Sequence, residues 1–244
     1  MEKIVIVGFD NTAEIEKKYG GKVRFDFNIK CESNAEKYEY SAVFIKSGTE
    51  ESVIKSWLGN GHLRIAADEN ALFAELDFFL GIPEPLEIER KFLIEKPDES
   101  ELLKYPLCDF VDIAQAYIHN GGARFRVRKR GKGSDFIYIK TEKIKISELK
   151  RIEKESRITE SDYLDNIRGE KVLYKRRYLI LYREKCFELD IFPFWQDQAL
   201  LEIELKSETE DFELPPFLHV IKEVTFDKHY RNSVLSQIYG IRQG

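Results

Sequence analysis

Cysteine is scarce: the 244 residues hold three, Cys31, Cys108 and Cys186, odd in number and widely spaced. That excludes a disulfide framework and points to a reducing, cytoplasmic setting with buried free thiols. Long apolar runs are missing. No stretch of about 18 apolar residues occurs, which argues against a transmembrane helix. The opening MEKIVIVGFD holds only a short apolar run, too short for a signal-peptide core. Histidine is sparse, and His119, His219 and His229 show no metal-binding spacing. Two tryptophans, Trp57 and Trp195, read as packing anchors rather than base-stacking platforms. A large charge of one sign is missing too. Thirty-nine basic residues stand against 44 acidic ones, a net of −5, which argues against a general nucleic-acid binder. What the chain does have is charge of both signs, in 34% of its residues, together with 13% aromatics. The aromatics and the small net charge exclude a disordered chain. The open question is where so many charged side chains go.

Charge divides the chain. The segment GIPEP at 81–85 is the natural linker, because two prolines and a glycine interrupt both helix and strand. Residues 1–84 hold 10 basic and 15 acidic side chains; residues 85–244 hold 29 of each. The first region reads as a small α/β domain. Strands are expected at 4–9, 22–29, 40–46 and 62–67. Helices are expected at 49–59, with Thr49 as N-cap, and at 68–81, with Asp68 as N-cap and Gly81 as stop. Gly8 after the first strand invites a phosphate-loop reading. However, GFDNTAEIEKKYGG lacks both glycine-rich phosphate-binding spacings. A structural or interaction module is the better reading of 1–84.

The second region carries charge with a period of two along seven strand-like segments. LEIERKFLI (86–94) sets Glu87, Glu89 and Lys91 on one face. ARFRVRKR (123–130) aligns Arg124, Arg126, Arg128 and Arg130, and DFIYIK (135–140) ends in Lys140. RIEKESRI (151–158) aligns Glu153 and Glu155, and VLYKRRYLILY (172–182) aligns Lys175 and Arg177. CFELDIF (186–192) carries Glu188 and Asp190, and LLEIELKS (200–207) carries Glu202, Glu204 and Lys206. Side chains alternate faces along a strand, so each set is a single-face cluster. An antiparallel sheet with one wet face would give the same alternation strand by strand. Collectively the pattern is harder to explain that way. Arginines at i, i+2 repel unless an anion joins them, and acid pairs repel unless a cation does. Closing the sheet would put both sets in one cavity. Carboxylates suit Mg²⁺ or Mn²⁺, and guanidinium forks suit phosphate oxygens. Together they fit a metal–polyphosphate complex.

These segments resemble the CYTH family, also called triphosphate tunnel metalloenzymes. The hallmark E-x-E-x-K is Glu87-Ile88-Glu89-Arg90-Lys91. The paired-arginine, lysine, acid, K-x-R, E-x-D and final E-x-E strands follow in order. FELPPFLHVIKEVTFDKHYRNSVLS resembles the closing segment of the short bacterial members and includes Lys222. A C-terminal helix is expected from Tyr230, with Val234, Leu235 and Ile238 at core spacing. The likeness spans 85–244 and leaves 1–84 as an addition.

The resemblance implies an α+β chain: an eight-stranded antiparallel β tunnel with covering helices over 85–244, preceded by the small α/β domain. It implies phosphate-holding roles for Arg126, Arg128, Lys140, Lys175, Arg177 and Lys222. It implies metal ligation by Glu87, Glu89, Glu202 and Glu204, with Mg²⁺ or Mn²⁺ as cofactor. Glu153, Glu155, Glu188 and Asp190 are left among metal ligation, orienting the bases and placing the attacking water. Of these, Glu188 and Asp190 are assigned to metal, and Glu153 and Glu155 join Lys91 as catalytic residues. Arg124 and Arg130 are expected at the tunnel mouths or in solvent. The implied activity is metal-dependent hydrolysis of inorganic triphosphate to pyrophosphate and phosphate. A class IV adenylyl cyclase, a thiamine or nucleoside triphosphatase, and a non-catalytic polyphosphate sensor remain alternatives. The expected partner is a small triphosphate, with neither nucleic acid nor membrane, and a homodimer stays open.

Overall fold

The computed structural model describes residues 2–81, 87–120, 123–145, 150–207 and 209–243. Most of the linker at 81–85 lies outside them. The chain forms two compact units. The first comprises Met1–Pro85, Glu99–Asp109 and Leu179–Phe187; the second comprises Leu86–Asp98, Phe110–Tyr178 and Glu188–Gly244.

In the first unit, strands β1 (Glu2–Val7), β2 (Val23–Phe27), β3 (Ala42–Lys46) and β4 (Leu63–Ala66) form a sheet in the order β2-β1-β3-β4. All three pairings are parallel. Helices α1 (Thr12–Tyr19), α2 (Asn34–Glu39), α3 (Glu51–Trp57) and α4 (Glu69–Phe79) alternate with the strands. A parallel sheet covered on both faces needs strands that are apolar throughout rather than alternately. The runs IVIV and AVFI answer that need. Ile4, Ile6 and Phe44 pack with Ile15, Tyr19, Leu72 and Leu76 on one side. Val5, Val7, Val43 and Ile45 pack with Ile54, Trp57 and Leu58 on the other.

The N-cap of α4 is Asp68, whose carboxylate accepts from Ala71 N at 2.8 Å. Thr49 is not the N-cap of α3. Its hydroxyl donates to Lys46 O at 2.7 Å, closing the preceding turn, and Glu50 takes the cap position. Helices α1 and α2 were not anticipated. Each is short, and α1 buries only Ile15 and Tyr19, too few apolar positions to show a helical period.

The larger sheet is built from β5 (Glu87–Glu95), β6 (Cys108–Asn120), β7 (Ala123–Lys132), β8 (Asp135–Lys145), β9 (Lys150–Arg157), β10 (Lys171–Tyr182), β11 (Lys185–Ile191) and β12 (Gln198–Leu205). Short strands β13 (Val220–Glu223) and β14 (Ile241–Arg242) pair with β5 and β10. The pairing path runs β11-β12-β5-β9-β8-β7-β6-β10, and β11 also pairs with β10. The β12–β5, β5–β9, β6–β7, β7–β8 and β8–β9 ladders are antiparallel, so the architecture is α+β with an antiparallel sheet.

Helices α6 (Glu160–Ile167) and α7 (Asn232–Tyr239) accompany this region, whereas the short α5 (Glu99–Leu102) falls in the first unit. Helix α6 begins in a capping box between Thr159 and Asp162 and buries Tyr163 and Ile167 against Ala116, Val127 and Val172. In α7, Leu235 is buried beside Leu93, Phe192 and Leu200, whereas Ile238 is 57% exposed. The helix starts at Asn232 rather than Tyr230, because Lys228–Tyr230 form a separate 3-10 turn before it.

Candidate functional site

On β10, β11 and β12, acids and bases meet in the interior of the second unit. Lys175, Arg177, Asp190 and Glu202 are all buried, and Asp190 has no exposed surface. Asp190 accepts from Arg177 through both oxygens, each at 2.6 Å, and from the Lys175 ammonium. Arg177 also donates to Glu202 Oε2 at 2.9 Å and to Glu188. Charge-assisted forks of this kind are the strong hydrogen bonds.

Beside them, Lys91 on β5 lies 2.7 Å from Glu202 Oε1 and 3.0 Å from Glu89 Oε1. The β5–β12 register explains the contact: Glu202 stands opposite Lys91, and Glu204 stands opposite Glu89. Burial alone would lower the Lys91 pKa, but the Glu202 and Glu89 carboxylates outweigh it and hold the ammonium above its ordinary value. Burial would raise Glu202; Lys91, Arg177 and Lys175 instead hold it well below the usual carboxylate range. Lys175 is pushed down to about 8, first by burial and then by the Arg177 charge.

A second group lies on β6 to β9. Arg126 Nη2 donates to Thr141 Oγ1 at 3.1 Å and to Glu155 Oε1 at 3.3 Å. The Thr141 hydroxyl donates to the same Glu155 oxygen at 2.9 Å. Arg128 Nε donates to Gln115 Oε1 at 3.2 Å, and Gln115 Nε2 donates to the Tyr117 hydroxyl at 3.1 Å. Burial, then the neighbouring charges of Arg126 and Arg177, push Arg128 down to about 9. At neutral pH it is therefore a cation held close to other cations.

Of the residues singled out in the sequence, Arg126, Arg128 and Glu155 join the second group. Lys91, Glu89, Lys175, Arg177, Glu188, Asp190 and Glu202 join the first. Glu204 is exposed at the β12 end, opposite Glu89. The side chains of Glu87 and Glu153 lie outside the described residues.

Two basic residues go elsewhere. Lys140 stands opposite Val127, lies 4.4 Å over the Phe125 ring and pairs with Glu142 at 2.9 Å, on the face away from Arg126 and Arg128. Lys222 is exposed, its ammonium 5.3 Å over the Tyr230 ring. Arg130, expected near solvent, is buried, whereas Arg124 is exposed.

Thr141, Gln115 and Tyr117 were missed. They are uncharged, so the period-two charge pattern does not mark them. The hairpin register would have found Thr141. Lys132 pairs with Asp135 across the turn at 133–134, so an even-numbered arginine on β7 faces an odd-numbered residue on β8.

Among the described residues, no three His, Cys, Asp or Glu side chains converge on one metal position. The donor chemistry nevertheless suits a hard divalent cation. Glu89 and Glu204 stand opposite each other across the β5–β12 ladder and Glu202 is the next acid on the same strand face, so carboxylate oxygens of the kind that bind Mg²⁺ or Mn²⁺ are gathered there.

The fold and site define a class: an α+β chain whose antiparallel sheet carries a buried, mixed-charge site suited to a polyanion. No protein-family model and no curated protein matches the chain. Solved structures do. The inorganic triphosphatase NE1496 is 29% identical, over 62% of this chain and 93% of that one, with a TM-score of 0.41. A second structure of NE1496 gives 29%, 62%, 97% and 0.42. The Hippeastrum protein HpAC1, with a dominant triphosphatase activity, is 15% identical over 49% and 80%, with a TM-score of 0.31.

Proposed function

We propose that this chain is a divalent-metal-dependent triphosphatase that converts inorganic triphosphate to pyrophosphate and phosphate. In this reading the eight strands β5 to β12 enclose a tunnel, and residues 85–244 carry the reaction. The observation that carries the reading is Arg128. It is pressed by the charges of Arg126 and Arg177, yet its one hydrogen-bond partner among the described residues is the neutral Gln115. A half-buried guanidinium hydrogen-bonded to no carboxylate among the described residues calls for an anion. Phosphate oxygens match its fork geometry.

Each residue then has a definite task. Arg126 and Arg128 hold one end of the triphosphate, and Lys175 and Arg177, engaged by Asp190, Glu188 and Glu202, add positive charge to the site. Asp190 keeps Lys175 and Arg177 together. Glu155, seated between Thr141 and Arg126, is the described acid best placed to orient a water. Lys91 reaches from Glu202 and Glu89 towards the departing phosphate oxygens. Glu89, Glu202 and Glu204 would hold Mg²⁺ or Mn²⁺, which supplies charge neutralisation on the phosphoryl oxygens.

Purified full-length chain with Mg²⁺ or Mn²⁺ is expected to release phosphate from triphosphate. Glu89→Gln and Arg126→Ala should each lower the rate more than tenfold; smaller losses would remove this site from consideration. Incubation with ATP separates the alternative chemistry, since cyclic AMP with pyrophosphate marks a cyclase and phosphate marks a hydrolase.

A further inference from the structure

Gln115 sits at the centre of β6, opposite Arg128 in the β6–β7 register, and has no exposed surface. Both ends of its amide are engaged. The oxygen accepts from Arg128 Nε, and the nitrogen donates to the Tyr117 hydroxyl. Nε is the inner nitrogen of the guanidinium. Fixing it orients the plane of the group and leaves the two outer nitrogens for a ligand. The neighbouring arginines are held differently: Arg126 by Glu155, and Arg177 by Asp190, Glu188 and Glu202. Carboxylates fix those two arginines and also neutralise them. Gln115 fixes Arg128 without neutralising it.

We propose that Gln115 is a positioning residue that aims Arg128 at a phosphoryl group while preserving its full positive charge for that group. The inference rests on the triphosphate reading of the same site. Its chemical content is the choice of amide over carboxylate. A glutamate here would have the same size and reach, would pair with Arg128, and would compete with the substrate for the fork. A merely structural role makes the opposite demand, because an isosteric acceptor that forms an ion pair with Arg128 and accepts from the Tyr117 hydroxyl turned towards it would hold the strands at least as well.

Gln115→Glu in the full-length chain separates the two. Triphosphate affinity, measured by calorimetry with EDTA and again with Mg²⁺, is expected to fall roughly tenfold or more, the scale of one charge-assisted hydrogen bond. The melting temperature should stay equal to or above that of the wild type. In turnover the loss should appear mainly in KM. Gln115→Met, which removes the acceptor without adding charge, should weaken binding less than Gln115→Glu does. If Gln115→Glu binds triphosphate as tightly as wild type, or if Gln115→Met is the weaker binder of the two, Gln115 is structural and the inference fails. If wild type itself binds no triphosphate in either condition, the functional reading fails and this inference with it.

Discussion

Asp190 shows how much one side chain carries here. Both of its oxygens are committed to Arg177 and Lys175, and none of these three groups has appreciable water around it. Removing one partner of a buried ion pair leaves uncompensated charge, at a cost of about 3–5 kcal/mol. Asp190→Asn is therefore expected to lower the unfolding free energy, read from a urea titration, by that margin. Adding Lys175→Met to it should recover part of the loss, because one stranded cation is then gone.

A milder case lies on the outer side of β5. Arg90 grips Glu223 through Nε and Nη2, at 2.6 and 2.7 Å. The hydrogen bonds from Arg90 hold Glu223 below its ordinary carboxylate pKa. A depressed acid contributes stability above its unfolded pKa and loses it as pH falls through the folded one. Glu223→Gln should therefore cost about 0.5–1 kcal/mol at neutral pH, the range for a partly exposed fork, and almost nothing at the lowest pH where the chain stays folded. Equal costs at both pH values would refute the pairing.

Charge parity made most of these residues visible in the sequence. Arg126, Arg128, Lys175, Arg177, Asp190 and Glu202 were all read from i, i+2 spacing. Lys140 failed the same test because parity holds within a strand, whereas membership of a shared face depends on the register between strands.

Elements differ in how clearly they announce themselves. β5, β7, β10, β11 and β12 alternate charge with apolar groups, the pattern of a strand with two unlike faces. β6 carries almost no charge through its central run, so CDFVDIAQAYIHN shows no charge period although it is the longest strand among the described residues. Its polar residues Gln115 and Tyr117 carry no charge and so add nothing to the alternation of acids and bases.

Glycine sets another limit at this scale. Gly131 stands opposite Phe136 next to the β7–β8 turn. A Cβ there would lie 1.9 Å from Asp135 O and 2.7 Å from Phe136 Cα. Both are backbone atoms, so the hairpin itself must shift. Gly131→Ala is expected to cost about 1–3 kcal/mol, the range for overpacking, and to move the strand that presents Arg126 and Arg128. A thermal melt reads the first effect and triphosphate affinity the second. A variant with unchanged melting temperature and affinity would show that the hairpin yields freely.

At the scale of the whole molecule, the acidic excess of 1–84 suggested an independent addition joined at 81–85. The compact units cut the chain differently. The unit containing Met1–Pro85 also takes in Glu99–Asp109 and Leu179–Phe187. β10 therefore passes from Lys175 and Arg177 in one unit to Leu181 in the other, and β11 returns from Cys186 to Glu188 and Asp190. Leu181 is only 4% exposed, and it packs in the cluster of Val5, Val7, Val43, Ile45 and Trp57. Leu107 and Cys186 pack against the same cluster. Composition could not reveal this, because Leu181 lies far from those residues in sequence and its neighbours carry no distinctive charge.

A fragment of 85–244 would lose every one of the cluster residues that precede the linker and leave the tip of the β10–β11 hairpin in water. Burial of one leucine is worth about 1.5–3 kcal/mol, and native chains hold only about 5–15 kcal/mol in all. The fragment is expected to melt well below the full chain, to aggregate through the exposed tip, and to bind triphosphate weakly. Trp57→Ala in the full chain should act in the same direction by about 3–5 kcal/mol, because it empties the centre of that cluster. Circular dichroism melts and triphosphate calorimetry on the full chain, the fragment and the variant decide the matter. If the fragment melts cooperatively at the full chain's temperature and binds triphosphate equally well, residue 85 is a true domain boundary and the hairpin tip needs no partner. If it does not, the N-terminal strands are part of what holds Lys175, Arg177, Glu188 and Asp190 in line.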